Sequence, residues 1–298
     1  MIVKARFTWL NGLVLALALI FAVFPVFWIL STSFKPPREW VVSPPVWITE
    51  NATLDNYLAV LYPQAILQQQ RTGQAQDTAT GIQRVGESAW RSILGSVLVS
   101  VCATALSVIV GLMAAISVAR YRFGGNTTPF FILTGRMFPP IAIAIPFVIM
   151  FGAMALIDTY WGLILAYAAF TVPFSTWMLK SFIDELPKEI EEAAMVDGRS
   201  RIGAHFYVTV PLIRGGIIAT TLFIFILNWS EFLFALVLSY RELITMPVQL
   251  SKYFTATAGQ LYGVQAALAT VAVIPLVIAG YFIQSHLVRG LTLGAIKR

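Results

Sequence analysis

The sequence predicts an all-α, polytopic membrane protein with six transmembrane helices and both termini in the cytoplasm. Of its 298 residues, 58% are hydrophobic and 11% are charged, whereas soluble domains carry about 25% charged residues. The mean hydropathy is +0.79. The apolar residues are gathered in six runs, each long enough for a helix to cross a hydrocarbon core about 30 Å thick. These runs hold two charged side chains, so a water-soluble fold is excluded.

The six predicted spans are residues 7–30, 92–119, 128–157, 161–179, 215–240 and 261–288. The first run is longer than the apolar core of a signal peptide, which has about 7–15 residues, so we expect it to be retained as a span. Two long connections separate the spans: an extracytoplasmic loop at 31–91 and a charged cytoplasmic loop at 180–214. We expect the whole chain, 1–298, to form a single transmembrane domain.

The distribution of Lys and Arg predicts the orientation of the spans. If the N-terminus lies inside, twelve of these residues fall in inner segments and two in the short outer loops. Five more lie in the loop 31–91, which is long enough to be weakly subject to the rule that basic residues stay on the cytoplasmic side. Membrane topology therefore explains the formal net charge of +6, and we expect no nucleic acid partner.

The sequence carries no constellation of catalytic or metal-binding residues. Cys102 is the single cysteine, and His205 and His286 are the two histidines, so neither a disulfide framework nor a thiolate or histidine metal site is predicted. A phosphate-binding loop ends in Gly-Lys-Ser/Thr, and the chain contains no Gly-Lys dipeptide. We therefore expect no catalytic residues, no metal and no cofactor.

The first half of the loop 180–214 has the signals of a short helix. Pro187 suits the first helical position, and Glu189, Glu191 and Glu192 favour the positive end of the helix dipole. Gly198 is the residue type that ends a helix in the left-handed conformation. The pattern predicts one face formed by Ile190, Ala193, Ala194 and Asp197.

The second half of the loop predicts another short helix, which begins after the capping residue Ser200 and ends at Pro211. Ile202, Phe206 and Val210 share one side of it. Two interpretations remain open on these residues alone. The paired helices are suited to docking into a groove on another protein, and they are equally consistent with a solvated connector between two spans.

Residues 192–212, EAAMVDGRSRIGAHFYVTVPL, closely resemble the EAA loop of the integral-membrane subunits of binding-protein-dependent ABC importers. The positions that stand at the spacing of that family are Glu192, Ala193, Ala194, Asp197, Gly198 and Pro211. Residues 158–182 and 228–235 resemble the carbohydrate branch of the family, in particular its MalG-like inner-membrane permease subunit. The resemblance covers most of the chain.

The resemblance implies a multi-pass subunit of the inner (plasma) membrane that forms half of a translocation pathway for a sugar or sugar derivative. It implies pairing with a second, MalF-like permease, two ATP-binding subunits beneath, and an extracytoplasmic substrate-binding protein that delivers the carbohydrate. ATP hydrolysis then resides on the partner subunits, and this chain is not an enzyme. The residues implied in coupling the loop to an ATP-binding subunit are Glu192, Ala193, Ala194, Asp197, Gly198, Ile202, His205, Phe206 and Pro211.

Arg136 and Glu231 are the two charged residues inside predicted spans, and an ionisable group within a span is a functional candidate. Asn228 precedes Glu231 by three residues, so a continuous helix would place both on one face. We expect these three residues, with Tyr167 and Phe170, to line the translocation pathway. The alternative that stays open is an anchoring role against the partner permease.

A competing class is an ion-coupled secondary transporter of a small polar solute. That class predicts carboxylates near the membrane midplane and paired broken spans, which a single Glu in the outer third of span five fits poorly. Two further segments carry expectations from the resemblance. Residues 64–88 are interpreted as an insertion in the outer loop, and residues 290–298 as a tail that either enters the ATPase interface or serves as a basic anchor.

Overall fold

The computed structural model describes residues 9–63, 88–125, 127–135, 137–255 and 259–294. Its helices are α1 (Trp9–Ser33), α2 (Asp55–Leu61), α3 (Trp90–Tyr121), α4 (Thr128–Thr134), α5 (Pro140–Ala153), α6 (Tyr160–Asp184), α7 (Lys188–Val196), α8 (Arg201–Ala204), α9 (Val210–Leu212), α10 (Arg214–Trp229), α11 (Leu233–Leu238), α12 (Met246–Ser251) and α13 (Tyr262–Gly294). Two strands, β1 (Phe254–Thr255) and β2 (Gly259–Gln260), pair antiparallel. The predicted helical class is confirmed. The short hairpin, with two residues in each strand, was not predicted.

The chain divides into two compact units. The first comprises Met1–Trp90 with Gln249–Val273, and the second comprises Arg91–Val248 with Ile274–Arg298. The second unit contains the loop 180–214 and the predicted pathway residues, so it holds the candidate functional site.

In the first unit, α2 is fastened to the segment that follows α1. The buried Asn56 side chain donates hydrogen bonds from Nδ2 to the carbonyl oxygens of Ser33 and Lys35, each at 2.9 Å. The Trp40 indole donates to the same Lys35 carbonyl at 2.9 Å. These bonds satisfy backbone acceptors that a buried turn would otherwise leave unpaired.

In the second unit, α3 and α6 pack closely through small and hydroxylated residues. The hydroxyl groups of Ser107 and Thr171 are hydrogen-bonded at 2.7 Å. A methyl group added to Gly111 would lie 2.5 Å from the Ser175 Oγ, so Gly is required for this approach of the two backbones. Small residues at helix crossings allow such contacts within membranes. The apolar core of the unit is centred on Val99, Ala103, Leu163, Tyr167, Phe234 and Leu243.

Four of the described helices are long and apolar enough to cross a membrane: α1, α3, α6 and, over Tyr262–Phe282, α13. The number becomes five if Arg201–Leu212 and Arg214–Trp229, which meet at 75°, are counted as one bent span. The prediction of several apolar spans is confirmed. Six crossings with both termini inside stay a prediction.

Two of the predicted spans contain an interruption of the helix. Within 128–157, α4 ends at Thr134 and α5 begins at Pro140, because Pro disfavours the helical conformation in the preceding residue and Pro139 precedes Pro140. Within 215–240, the helix stops at Trp229 and resumes at Leu233. The sequence signal for the first break is the pair Pro139 and Pro140. At the second break, a side chain caps the helix that follows, as described below.

Candidate functional site

The first helix of the loop 180–214 forms as predicted and begins one residue later than expected, at Lys188, with Pro187 as its N-cap. Gly198 has φ of +89°, the left-handed conformation that closes a helix. The Arg199 N–H donates back to the Ala194 carbonyl oxygen at 3.1 Å, which completes the cap. The predicted role of Gly198 as a helix terminator is confirmed.

The second helix begins as predicted, because the Ser200 hydroxyl accepts a hydrogen bond from the Gly203 N–H at 3.1 Å. Its middle differs from the expectation. After α8, the residues His205–Thr209 form a π-helical turn, in which hydrogen bonds join residues five apart. Such turns often occur at functional sites.

The predicted end of this helix at Pro211 is corrected, because helical backbone continues to Leu212 and the chain bends at Ile213. Proline lacks an N–H, and its ring crowds the carbonyl four residues earlier. The π-helical turn accommodates this, since the Val210 N–H donates to the carbonyl oxygen of His205.

Most of the predicted coupling residues lie on the surface of the loop. The exposed ones are Glu192, Ala193, Asp197, Gly198, Ile202, Phe206 and Pro211, and Ala194 is partly buried. Ile202 is 69% exposed and Phe206 65%. Together with Val196 and Tyr207, which are also exposed, they form what we call the exposed apolar set. Apolar side chains left uncovered in this way mark a surface for interaction.

His205, which the resemblance implies in coupling, is not part of that exposed surface. It is buried, and its Nε2 lies 2.8 Å from the Tyr121 hydroxyl. Its Nδ1 lies 3.5 Å from the Thr209 hydroxyl and 3.7 Å from a carboxylate oxygen of Glu191. The imidazole therefore faces the interior of the loop, while Phe206 alone of the two neighbours points outward.

A buried ion pair holds this interior together, and both of its members are absent from the predicted coupling residues. Arg120 Nε donates to the two carboxylate oxygens of Glu191 at 2.9 and 3.0 Å. Their side chains are 6% and 9% exposed. The Thr209 hydroxyl also donates to this carboxylate, at 2.7 Å. We call Arg120, Tyr121, Glu191, His205 and Thr209 the inner cluster.

A sequence signal for the inner cluster exists, although it is weak. Arg120 is the first charged residue after an uncharged span. Glu191 is one of three carboxylates near the start of a short helix, which is more than the helix dipole requires. Nothing in the spacing joins them, since they lie 71 residues apart.

Two open cavities adjoin the loop. The larger, about 530 Å³, is lined at its charged rim by Arg120, Arg122, Lys180, Asp184, Lys188 and Glu189. The smaller, about 250 Å³, lies at the inner cluster and includes Glu192, Met195 and Arg201 in its wall. Charged side chains line both cavities.

Four of the predicted pathway residues, Tyr167, Phe170, Asn228 and Glu231, lie on α6 or at the break that separates α10 from α11. The Glu231 carboxylate accepts hydrogen bonds from the backbone N–H groups of Phe234, at 3.0 and 3.1 Å, and Ala235, at 3.2 Å. The buried Tyr167 hydroxyl donates to the Glu231 carbonyl oxygen at 3.4 Å. Glu231 thus caps the N-terminus of α11, where backbone donors and the helix dipole favour a negative charge.

The expectation that Asn228 and Glu231 share an open helix face is corrected. Because α10 ends at Trp229, Asn228 belongs to its last turn, whereas Glu231 lies in the break. Asn228 is 2% exposed. Phe170 is partly buried and packs edge-on against Phe234, with ring centroids 5.5 Å apart. Arg136 lies outside the described residues.

Comparison with known proteins identifies a family that this chain matches. Residues 107–293 match the family described as binding-protein-dependent transport system inner membrane component. The inner membrane ABC transporter permease protein YcjP of Escherichia coli is 32% identical over 95% of this chain and 94% of its own length. The trehalose/maltose transport system permease protein MalG of Thermococcus litoralis is 31% identical, over 93% and 92%.

A third relative, the sulfoquinovosyl glycerol transport system permease protein SmoH of Agrobacterium fabrum, is 31% identical over 95% of this chain and 91% of its own. Among solved structures, a bacterial ABC transporter involved in the import of the acidic polysaccharide alginate contains a chain of similar fold. The TM-score is 0.72, with 20% identity, over 93% of this chain and 94% of that one.

Proposed function

The chain belongs to the family of binding-protein-dependent transport system inner membrane components, and from that membership we propose that it imports a sugar or sugar derivative as one of two permease subunits. The chain is a transport component of an ATP-driven ABC importer in the inner membrane. ATP hydrolysis lies on separate subunits. The family works with a partner permease, an ATPase and a binding protein.

The proposed substrate class rests on the names of the relatives. Permeases for sulfoquinovosyl glycerol, diacetylchitobiose and trehalose/maltose each match more than nine tenths of this chain. These carry different carbohydrates, and one is anionic, so the shared property is a polyhydroxylated solute. We therefore propose a polyhydroxylated solute, a sugar or sugar derivative, as the substrate class.

The proposed coupling element is the surface of the loop 180–214, and the observation that carries it is the exposed apolar set beside Glu192 and Asp197. These side chains are uncovered within the described part of the chain although the loop is well formed, which supports a protein partner. We propose that an ATP-binding subunit covers them. The proposed assembly contains a MalF-like second permease, two ATP-binding subunits and an extracytoplasmic substrate-binding protein.

The proposed topology has six crossings and both termini in the cytoplasm. The crossings are α1, α3, α4 with α5, α6, α10 with α11, and α13. This arrangement treats the two breaks as interruptions within spans, which membrane proteins tolerate where neighbouring helices satisfy the freed backbone groups. The excess of Lys and Arg in the segments that it places inside supports the orientation.

We propose that Tyr167, Phe170, Asn228 and Glu231 act on the translocation pathway by shaping the break between α10 and α11. The Tyr167 hydroxyl, the Asn228 Nδ2 and the Glu231 carboxylate are hydrogen-bonded within the chain, which supports a role in shaping the pathway. For Arg136, the proposal of a pathway position rests on the sequence.

Uptake by vesicles tests the proposed function. The complete importer, with its binding protein, is reconstituted in proteoliposomes and given labelled sugars that the binding protein retains. Uptake that requires ATP inside the vesicles and survives an uncoupler is the expected result. An ion-coupled secondary transporter would give the opposite pattern, with uptake that ignores ATP and stops when the uncoupler collapses the ion gradient.

A further inference from the structure

The inner end of α3 is attached to the coupling loop at two adjacent residues. Arg120 binds the Glu191 carboxylate in α7 and donates from Nη2 to the Leu186 carbonyl oxygen at 3.1 Å. Tyr121, the last residue of α3, is hydrogen-bonded to His205 in the π-helical turn at 2.8 Å. The end of one span therefore contacts both halves of the loop.

This attachment is built as a rigid joint. Arg120 Nε contacts both oxygens of Glu191, and Thr209 donates to one of them, so the carboxylate is held from two directions. Both charged side chains are almost fully buried. Removing one member of such a pair leaves an uncompensated buried charge, which is strongly unfavourable. Separation of Arg120 from Glu191 would likewise leave each of them an unpaired buried charge, so the contact is expected to persist when the loop moves.

The joint gives the loop a third connection to the membrane helices. Along the chain, the loop continues directly into α6 on one side and α10 on the other. A displacement of the loop is transmitted to those two helices by covalent bonds. It reaches α3 only through non-covalent contacts, and the buried ion pair Arg120–Glu191 joins α3 directly to the loop.

We propose that Arg120 and Glu191 are positioning residues that make α3 move with the coupling loop when ATP-binding subunits displace it. The inference rests on the proposed function and extends it, since it adds α3 to the spans that respond to nucleotide. It also gives a reason for burying an ion pair between α3 and a loop whose apolar side chains are exposed.

The experiment measures one distance in the complete importer. Spin labels are attached to cysteines introduced at Phe123 and Glu189, both exposed, in a Cys102→Ser background. The label at Phe123 follows the end of α3, and the label at Glu189 follows α7. The distance is measured without nucleotide and with ATP, magnesium and orthovanadate, which traps the ATPase. Wild-type protein is expected to give one narrow distance in both states.

Glu191→Gln removes the charge from the joint with little change in size. We expect its distance to shift between the two nucleotide states by more than the width of the wild-type distribution, because the loop then moves without α3. Arg120→Met is expected to do the same, and Arg120→Lys to give a smaller shift. A role in folding alone would lower the yield of complex without making the distance depend on nucleotide.

Matched controls separate the joint from docking. Arg122→Met removes an exposed cation two residues from Arg120, and Glu185→Gln removes an exposed carboxylate of the same loop. Both should leave the distance unchanged in either state. An unchanged distance in Glu191→Gln and Arg120→Met, or failure of all three joint variants to assemble, would overturn the proposal. A wild-type complex that recruits no ATP-binding subunit would instead overturn the proposed function itself.

Discussion

Asn228, in the last turn of α10, donates a hydrogen bond from Nδ2 to the hydroxyl oxygen of Thr104 in α3 at 3.1 Å. The two side chains are 2% and 3% exposed. The bond joins two helices that are more than 120 residues apart in sequence. It makes Asn228 a structural contact between spans, in contrast with a group that faces an open pathway.

Removing this bond is expected to weaken the packing of α10 on α3. Interhelical hydrogen bonds within membranes contribute about 0.6 kcal/mol on average, so Asn228→Leu and Thr104→Val should each lower the unfolding free energy modestly. Because both variants remove the same bond, the double variant should be less destabilised than the sum of the single effects. Unfolding of the purified subunit in detergent measures this, and strict additivity would show that the bond contributes nothing.

The carboxylate of Asp158 organises the segment that follows α11. It accepts hydrogen bonds from the backbone N–H groups of Tyr240, Arg241, Glu242 and Leu243, at 2.9, 3.0, 3.0 and 3.2 Å. Hydrogen bonds to charged groups contribute about 1.5–3 kcal/mol, so Asp158→Asn should destabilise the unit by about 2 kcal/mol. Asn tolerates the positive φ of this position, which keeps backbone strain out of the comparison.

The same contact predicts a pH dependence. Partial burial raises the pKa of the Asp158 carboxyl. The four backbone donors together lower this pKa by more than burial raises it, so it lies below its usual value. The stabilisation is then complete above the unfolded pKa of about 3.9 and is lost as the pH falls toward the folded pKa. The difference in stability between wild type and Asp158→Asn should therefore shrink below about pH 4. A matched Asp184→Asn variant, which removes an exposed ion pair with Lys180, should show little difference at any pH.

Gly111 should tolerate no larger side chain. A Cβ there would lie 2.5 Å from the Ser175 Oγ and 3.1 Å from the Thr176 N, so Gly111→Ala forces α3 and α6 apart. Overpacking of this kind costs about 1–3 kcal/mol. Gly280→Ala is the control, because no atom lies within 4 Å of its added methyl group. Thermal unfolding of the two variants should differ clearly, and equal stability would mean that the two helices do not approach this closely.

The sequence determines the helices and two of their ends through local signals. The long uncharged runs predict α1, α3, α6 and α13, and residues such as Gly198 and Ser200 mark helix ends by their own backbone chemistry. These features depend on neighbours within a turn or two. They can therefore be predicted from one sequence without knowing how the chain folds back on itself.

The contacts of the candidate site depend on distant pairing, and the sequence does not contain that information locally. From the sequence, Glu231 is predicted to be a charge inside a span. In the structure its carboxylate caps α11, a helix that begins only because the span is interrupted beside Glu231. His205 is the neighbour of Phe206 in sequence, yet its side chain is buried in the π-helical turn while Phe206 is exposed. Arg120 and Glu191 become partners only when α3 and the coupling loop meet.

Gly198 should be needed for coupling more than for insertion into the membrane. Its φ of +89° costs a residue with a side chain about 1–2 kcal/mol, so Gly198→Ala should distort the end of α7. No atom lies within 4 Å of the added methyl group, which excludes a steric clash as the cause. Uptake should fall while the subunit remains in the membrane. Gly215→Ala, which also meets no neighbour and has no positive φ, should transport normally.

Phe206 should bind an ATP-binding subunit directly. It is 65% exposed, so Phe206→Ala is expected to change the stability of the isolated permease by less than about 0.5 kcal/mol. An aromatic anchor at the centre of an interface contributes about 2 kcal/mol or more, which corresponds to roughly thirtyfold weaker binding. Titration of ATP-binding subunits onto the two permeases in nanodiscs measures this affinity.

The control for Phe206 is Phe123→Ala, which truncates an aromatic residue of similar exposure, 73%, two residues beyond the end of α3. That variant lies outside the coupling loop and should bind the ATP-binding subunits with unchanged affinity. If Phe206→Ala binds as tightly as wild type, the π-helical turn does not present an anchor to the ATPase. Weakened binding by both variants would point to a general loss of apolar surface, since the effect would then not depend on the loop.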